Sequence, residues 1–152
     1  CFNFIGNGTS ESLIEDFINK NTNIDVNLFK NLSFEKNNEM LSNGDIAVVS
    51  LSKGMKGLAV PSKTYFSIAA NKPILVIADP GSELHMLVKE NPGIGWFSEA
   101  GDTSKLASLI NKIYLDGIDR QNNIPISTAK QFYDFSIIGK KYIDLIDEIK
   151  LK

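Results

Sequence analysis

The sequence predicts an α/β protein in which a Rossmann-like parallel sheet carries helices on both faces. Short apolar runs rich in β-branched residues alternate along the chain with longer segments whose apolar residues recur at helical spacing. This alternation is typical of parallel strands joined by right-handed helical crossovers. The clearest strand, 73–78, is apolar almost throughout, as expected for a strand that is covered on both faces.

The individual elements follow from where these patterns start and stop. Strands are predicted at 2–5, 25–29, 45–51, 73–78 and 93–97. Helices are predicted at 9–19, 34–42, 61–71, 82–90, 103–115, 128–133 and 136–150. In the first helix, Ser12 and Glu15 have the spacing of a capping box. Residues 117–125 have neither pattern and are predicted to form a surface loop.

The composition is that of one ordinary domain whose partner is a small molecule or another domain. Its 152 residues can bury a core of their own. The formal net charge is −2 and the basic residues are scattered, which excludes a nucleic-acid footprint and a polybasic membrane patch. Cys1 is the single cysteine, so no disulfide can form within the chain, in keeping with a reducing cytoplasm. The apolar runs are too short to cross a membrane.

Both ends of the sequence suggest a piece of a longer protein. The chain begins with Cys1 rather than Met and enters a strand without a lead-in, which we interpret as truncation, with a processed start as the alternative. The last helix carries more apolar residues than a free helix exposes. They are Ile137, Ile138, Ile143, Leu145, Ile146 and Ile149. We expect this helix to pack locally or to pair with a second copy.

The loops that follow the strands are the expected place for a ligand. In an open parallel sheet, ligands bind at the carboxyl ends of the strands. The segments at these ends are 6–8, 30–32, 52–63, 79–83 and 97–102. Most of the polar and glycine-rich segments of the chain fall there, so we expect one site assembled from these loops.

Gly6, Asn7 and Gly8 form a glycine-containing turn between a strand and a helix. Glycines let backbone N–H groups approach a ligand, and a helix N-terminus favours an anion. The turn does not fit a nicotinamide-dinucleotide fingerprint, because Glu11 stands where the third glycine belongs and Lys30 follows the second strand in place of an acid. A tight turn without a ligand is the alternative interpretation.

Pro61, Ser62 and Lys63 begin a predicted helix after the loop that follows the third strand. Proline is favoured at the start of a helix, and serine is a good cap. The early N–H groups of that helix, together with the Ser62 hydroxyl and the Lys63 ammonium, suit a phosphate or a diphosphate. A plain helix start with a solvated lysine is the alternative interpretation.

His85 is the only histidine, and it lies within a predicted helix. One histidine without a nearby cysteine pair predicts no metal site, and it does not support a Ser–His–acid triad. Glu83 lies at the start of the same helix, where an acid complements the helix dipole. These residues by themselves indicate no catalytic centre.

Five segments occur in an order that carries a family resemblance. They are Phe-Ile-Gly-Asn-Gly at 4–8, Asp-Ile-Ala-Val-Val at 45–49, Val-Pro-Ser-Lys-Thr-Tyr at 60–65, Ala-Ala-Asn-Lys-Pro-Ile-Leu at 69–75 and Gly-Ser-Glu-Leu at 81–84. Together they resemble the C-terminal domain of family-four glycosyltransferases, in particular the branch of bacterial capsule and O-antigen assembly. The segment 135–142 is similar to the C-terminal helix of that branch.

The resemblance implies the donor-binding half of a two-domain GT-B enzyme. In such an enzyme this domain binds a nucleotide-sugar donor, expected to be UDP-linked, while an N-terminal domain absent from the chain binds the acceptor. Transfer would retain the anomeric configuration and use no metal or other cofactor. The implied acceptor is lipid-linked, at the cytoplasmic face of the plasma membrane, where the absent domain would attach the protein peripherally.

Positions that contact the donor in the family can be matched to this sequence residue by residue. They are Gly6 and Gly8 near the nucleotide, Lys30, Asn31 and Leu32 at the edge of the base, Ser62 and Lys63 at the diphosphate and ribose, and Gly81 to Glu83 in a further donor-side loop. The resemblance thus implies a binding site without naming a catalytic residue.

The sequence also departs from the family pattern. The family's paired glutamates, the second of which normally holds the ribose, fall on Leu58 and Phe66. Asn71 replaces the usual glycine, a mild change because asparagine tolerates a left-handed backbone. The basic diphosphate clamp and the first strand of the domain would lie upstream, so the chain alone is expected to be inactive. The alternatives are a non-catalytic or regulatory nucleotide-binding module and a GT-B-fold nucleotide-sugar epimerase.

Overall fold

The computed structural model describes residues 1–30 and 36–150, and the chain forms two compact units, Cys1–Met40 and Leu41–Lys152. The strands are β1 (Phe2–Ile5), β2 (Val26–Phe29), β3 (Ala47–Ser50), β4 (Ile74–Ala78) and β5 (Gly95–Glu99). The helices are α1 (Glu11–Lys20), α2 (Asn37–Asn43), α3 (Lys63–Ala69), α4 (Glu83–Glu90), α5 (Thr103–Asp116), α6 (Ile124–Phe132) and α7 (Phe135–Lys150). Strands and helices alternate, and every strand pair in the described residues is parallel, which confirms the predicted α/β class.

Most element boundaries agree with the sequence patterns, and the exceptions have local causes. α6 begins at Ile124 rather than at 128, because Pro125 occupies the first turn, where proline is favoured. β5 begins at Gly95 rather than at 93, since Gly93 adopts a φ of +93° that a strand does not use. Of the helix predicted at 34–42, the first two positions lie outside the described residues, and α2 is the described part.

The predicted capping box of Ser12 and Glu15 is wrong. α1 begins at Glu11, so Ser12 lies inside the first turn, and Ser10 is the N-cap residue without a side-chain cap hydrogen bond. Glu15 binds Lys30 instead of reaching back along the helix. The sequence spacing was correct for a capping box, but the helix starts two positions too early for Ser12 to serve as its cap.

The first unit contains a two-stranded parallel sheet and the helix α1. β1 and β2 pair with Phe2 opposite Val26, and α1 contacts β2. Phe2 and Phe4 remain 46% and 45% exposed. A largely apolar pocket of about 420 Å³ lies beside these side chains and Phe17. This sheet therefore buries little apolar surface within its own unit.

The second unit is built around β4, which lies between β3 and β5. On one face of β4, Ile74 and Val76 belong to a buried cluster with Ile68 of α3 and Leu84 of α4. Leu75 points to the opposite face because side chains alternate along a strand, and it is only 3% exposed. β4 is thus covered on both faces, as its unbroken apolar sequence predicts.

Asn71 closes α3 in the conformation expected of the glycine that it replaces. Its φ is +56°, and it lies just after the C-cap residue Ala70. The Asn71 N–H donates to the Ile68 carbonyl and the Lys72 N–H to the Ser67 carbonyl, which is the hydrogen-bond pattern of a Schellman motif. Asparagine therefore fits this left-handed position, as predicted.

The Asn71 side chain also ties the end of α3 to the start of α6. Its Nδ2 donates to the Asn122 carbonyl and to Asn123 Oδ1, both at 3.1 Å, and its Oδ1 accepts from the Ile126 N–H at 3.2 Å. Glycine could make none of these contacts. The departure from the family pattern at this position thus adds a link between two helices.

The final helix, α7, keeps its apolar stripe uncovered. α7 contacts α6, yet none of its residues is buried. Ile143 and Ile149, for example, are 60% and 65% exposed. The predicted excess of exposed apolar side chains is confirmed, and local packing does not cover them. Neither this helix nor any other in the described residues combines the length and apolarity needed to cross a membrane.

Replacing Gly95 by alanine should destabilise the second unit strongly. A Cβ at this position would lie 1.9 Å from the Ile74 carbonyl oxygen, so β4 and β5 would have to move apart. We expect Gly95→Ala to lower the free energy of unfolding by about 3 kcal/mol, measured by urea denaturation. Gly139→Ala is the matched control, because a Cβ there meets nothing within 4 Å and α7 should gain about 0.5–1 kcal/mol of helix propensity. Equal effects of the two substitutions would contradict this assignment.

Two substitutions at Asn71 should separate its backbone role from its side-chain role. Asn71→Gly keeps the left-handed backbone but loses the bonds to α6, and we expect a loss of about 1–2 kcal/mol in unfolding free energy. Asn71→Ala also loses the left-handed tolerance, at a further cost of about 1 kcal/mol. Thermal and urea denaturation should rank the stabilities as wild type, glycine, alanine. An alanine variant as stable as the glycine variant would refute the backbone role.

Candidate functional site

The carboxyl ends of β4 and β5 are followed by turns of the same design. The Ser82 N–H donates to the Asp79 carbonyl at 3.1 Å, and the Asp102 N–H donates to the Glu99 carbonyl at 3.2 Å. The third residue of each turn is a glycine with a φ of +75° at Gly81 and +90° at Gly101, which glycine adopts without strain. The chain thereby reverses from each strand into a helix within four residues.

Each of these turns ends in a residue that caps the next helix. The Ser82 hydroxyl accepts from the His85 N–H of α4, and Asp102 Oδ1 accepts from the Lys105 N–H of α5 at 3.0 Å. The side-chain hydrogen bond from Lys105, with its backbone N–H, holds the pKa of the Asp102 carboxyl below its ordinary value. Both helices therefore begin at the edge of the sheet where the strands end.

The loop after β3 is fastened to the end of β4 by one carboxylate. Asp79 Oδ2 accepts from the Gly54 N–H at 2.8 Å and from the Lys56 N–H at 3.2 Å. The Lys56 ammonium lies against Gly81, since a Cβ on that glycine would be 2.8 Å from Lys56 Nζ. The loop carrying Lys53 and Lys56 is thus held next to the turn that follows β4.

An open polar pocket lies at the same edge of the second unit. Its volume is about 390 Å³. It is lined by Lys53, Glu99, Ala100, Gly101, Asp102, Thr103 and Ser104. The pocket combines an ammonium group, two carboxylates and two hydroxyls, which can bind charged groups and sugar-type hydroxyls. Within residues 1–30 and 36–150, no three His, Cys, Asp or Glu side chains are grouped so as to hold a metal ion.

Pro61, Ser62 and Lys63 lie at the start of α3, as predicted, but Ser62 does not cap it. Ser62 occupies the N-cap position, but its ψ of −30° is helical rather than extended, and its side chain makes no cap hydrogen bond. The Thr64 N–H donates to the Pro61 carbonyl and the Tyr65 N–H to the Ser62 carbonyl, so part of the first turn is satisfied internally. Lys63 is exposed, and among the described residues nothing engages its ammonium.

Glu83 lies in the first turn of α4, near the phenol of Tyr65. Burial raises the pKa of the Tyr65 phenol, and the negative charge of Glu83 raises it further. The Tyr65 ring also contacts Tyr133, with 4.7 Å between ring centroids. Glu83 therefore has the helix-start position expected of it.

His85 has a structural role in the turn after β4. Its Nδ1 accepts from the Gly81 N–H at 2.8 Å, so the proton of the neutral ring is on Nε2. The ring stacks on Phe97, with 4.1 Å between centroids. This agrees with a histidine whose partners lie within the fold.

The remaining predicted site residues belong to the first unit. Gly6 has a φ of +127° and donates its N–H to the Phe29 carbonyl, while Gly8 accepts from the Glu11 N–H. Asn7 lies between these glycines in the same turn. Asn31 and Leu32 lie outside the described residues.

Lys30 is engaged by two acids of α1. Its ammonium pairs with Glu11 at 2.6 Å and also with Glu15. The hydrogen bond with Glu11 and then that with Glu15 raise the pKa of the lysine. Lys30 thus lies at a strand end, but its ammonium is engaged in two ion pairs within the first unit.

Sequence reasoning placed Lys53, Asp79, Glu99 and Asp102 in the segments at the strand ends but did not single them out as site residues. The available signal was their position, because all of them follow β3, β4 or β5 directly or lie within the segments at the strand ends. Asp79 also begins a short turn that contains Gly81, and Asp102 ends a short turn that contains Gly101. The hydrogen bonds of Asp79 could not be predicted, because its partners lie more than 20 residues away in the sequence.

Comparison with known proteins gives one informative similarity. No protein-family model matches the chain, and no solved structure matches it significantly. The chain is 35% identical over 142 residues to the probable glycosyltransferase WbjE of Pseudomonas aeruginosa. The matched region covers 93% of this chain but only 35% of that relative, so the chain spans about a third of the relative's length. This similarity supports the assignment of the chain to a glycosyltransferase.

Proposed function

We propose that the chain is the donor-binding part of a GT-B glycosyltransferase of the family-four type. In this proposal it holds a nucleoside-diphosphate sugar, UDP-linked, for retaining transfer in bacterial capsule or O-antigen synthesis. The similarity to a probable glycosyltransferase over 93% of the chain supports the reaction class. The parallel α/β fold with polar loops at the carboxyl ends of its strands supports nucleotide binding there.

The observation that carries the proposal is a set of unpaired cations on one loop region of the second unit. Lys53 and Lys56 lie between β3 and α3, and Lys63 is the first residue of α3; among the described residues none of their ammonium groups forms an ion pair. α4 and α5 begin at the same edge of the sheet. Lysine ammonium groups and helix N-termini both attract a diphosphate and stabilise it as a leaving group.

The sugar-facing part of the proposal concerns hydroxyl groups. A carboxylate accepts hydrogen bonds from the hydroxyls of a sugar or ribose. Glu99 and Asp102 line the polar pocket beside Lys53, within the same unit. These acids offer hydroxyl acceptors on a chain in which Leu58 and Phe66 occupy the family's glutamate positions.

The proposal also includes the residues matched in the first unit and the partners of the whole protein. Following the resemblance, the turn of Gly6, Asn7 and Gly8 is proposed to contact the nucleotide, and Lys30 and Asn31 the base. The acceptor would be bound by an N-terminal domain and would be lipid-linked, which would hold the protein peripherally at the cytoplasmic face of the plasma membrane. No cofactor beyond the donor and no nucleic acid is involved.

A non-catalytic nucleotide-binding module is the second candidate function. The specific observation in its favour is that Leu58 and Phe66 present apolar surface, being 75% and 61% exposed, where the family has glutamates. An epimerase is less well supported, because His85 is already occupied by Gly81 and Phe97. The glycosyltransferase and the non-catalytic module would both bind a nucleotide, and only the glycosyltransferase would transfer a sugar.

Nucleotide binding should be selective and should depend on the lysine at the start of α3. We expect one of UDP, GDP and ADP, with UDP favoured, to bind this chain in ligand-observed NMR. Lys63→Ala should weaken that binding about fivefold, because one exposed charge contact is worth roughly 1 kcal/mol. Lys112→Ala is the matched control, since Lys112 pairs with Asp116 on the surface of α5.

The same panel on a full-length protein separates the candidate functions. Binding with transfer of the sugar to an acceptor extract supports the glycosyltransferase, whereas binding without product supports the non-catalytic module. Absence of binding of all three diphosphates to the full-length protein, or an equal loss in the Lys63 and Lys112 variants, would contradict the proposed site.

A further inference from the structure

The carboxylate of Asp79 hydrogen-bonds the loop after β3 to the residue that follows β4. Its Oδ2 accepts from two backbone N–H groups, those of Gly54 and Lys56, at 2.8 and 3.2 Å. Both bonds are charge-assisted, which makes them stronger than bonds between neutral groups. They span 25 and 23 residues of sequence and so fix a long-range relation rather than a local turn.

The loop depends on this link because it has little else to hold it. Its internal backbone bonds are two short turns, from the Met55 N–H to the Ser52 carbonyl and from the Leu58 N–H to the Met55 carbonyl. Gly54 and Gly57 adopt φ values of +87° and +74°. Glycines have the largest backbone freedom to lose, so an external anchor contributes to holding this loop in one conformation.

We infer that Asp79 is a positioning residue that clamps the loop 52–58 and thereby sets the places of Lys53 and Lys56. With both hydrogen bonds to Asp79 formed, the Lys56 ammonium lies against Gly81 and Lys53 lines the pocket beside Asp102. Asp79 itself offers its charge to the backbone and not to a ligand. The clamp stands on the observed hydrogen bonds, whereas its consequence for a nucleoside diphosphate rests on the proposed function.

A purely electrostatic role of Asp79 and a positioning role predict opposite effects of its removal on the binding of an anion. If Asp79 acted only through its negative charge, removing it would strengthen the binding of an anion. If Asp79 instead positions the loop, its removal lets the ammonium groups of Lys53 and Lys56 leave their places, and the binding of an anion becomes weaker. Asparagine at the same place lacks the charge but keeps an oxygen that can accept from both N–H groups. The pair Asp79→Ala and Asp79→Asn therefore distinguishes the two roles.

The first measurement is amide hydrogen exchange on the unmodified chain, read residue by residue by NMR. The Gly54 and Lys56 amides should exchange about tenfold more slowly than those of Lys53 and Gly57, which donate no bond within the described residues. This comparison needs no variant to fold. Equal exchange rates for the four amides overturn the clamp.

The second measurement compares the variants. In Asp79→Ala the Gly54 and Lys56 amides should exchange about tenfold faster while amides of α5 stay unchanged, and UDP should bind about fivefold more weakly. Asp79→Asn should keep both the protection and the affinity within about twofold. Tighter UDP binding in Asp79→Ala overturns the positioning role. If the unmodified full-length protein binds no UDP, the proposed function fails, and the exchange rates still decide the clamp.

Discussion

The burial of β4 on both faces is the constraint on which the second unit depends. Its backbone pairs with β3 on one side and β5 on the other. Ile74 and Val76 pack into the cluster beneath α3 and α4, while Leu75 is buried on the opposite face. A strand held in this way has a fixed end, and it ends at Ala78. The polar loop after β4 therefore follows a strand that is paired on both sides and buried on both faces.

The chemistry of the turns follows from the same constraint. After β4 and after β5 the chain has to leave a buried sheet and start a helix at once. A left-handed glycine makes the reversal at Gly81 and Gly101, and an oxygen of Ser82 or Asp102 then satisfies an N–H group of the first helical turn. Function and stability thus share residues here, because the groups that start the helices also shape the edge where a ligand would bind.

Features with local causes could be predicted from the sequence, and contacts between distant segments could not. The apolar run of β4 and the left-handed Asn71 depend on neighbours a few residues away, so the fold class and most elements were correct. Nothing near Asp79 in sequence indicates that its carboxylate accepts from Gly54, 25 residues earlier. The ion pairs of Lys30 with Glu11 and Glu15 could not be predicted for the same reason, since they form only in the folded unit. Serine propensity likewise misled at Ser62, because its helical backbone removes the cap geometry.

The apolar residues at the family's glutamate positions bear on chemistry more than on diphosphate binding. Leu58 and Phe66 are 75% and 61% exposed, so the core does not require them. Replacing carboxylates by apolar groups removes hydroxyl acceptors from a site but leaves its cations in place. Lys53, Lys56 and Lys63 would attract a diphosphate with or without those acids. Because catalysis requires interactions that are stronger in the transition state than in the ground state, the nucleotide binding and the sugar transfer that we propose can be lost separately. A variant or relative that loses one can keep the other, and transfer has to be judged by the product formed.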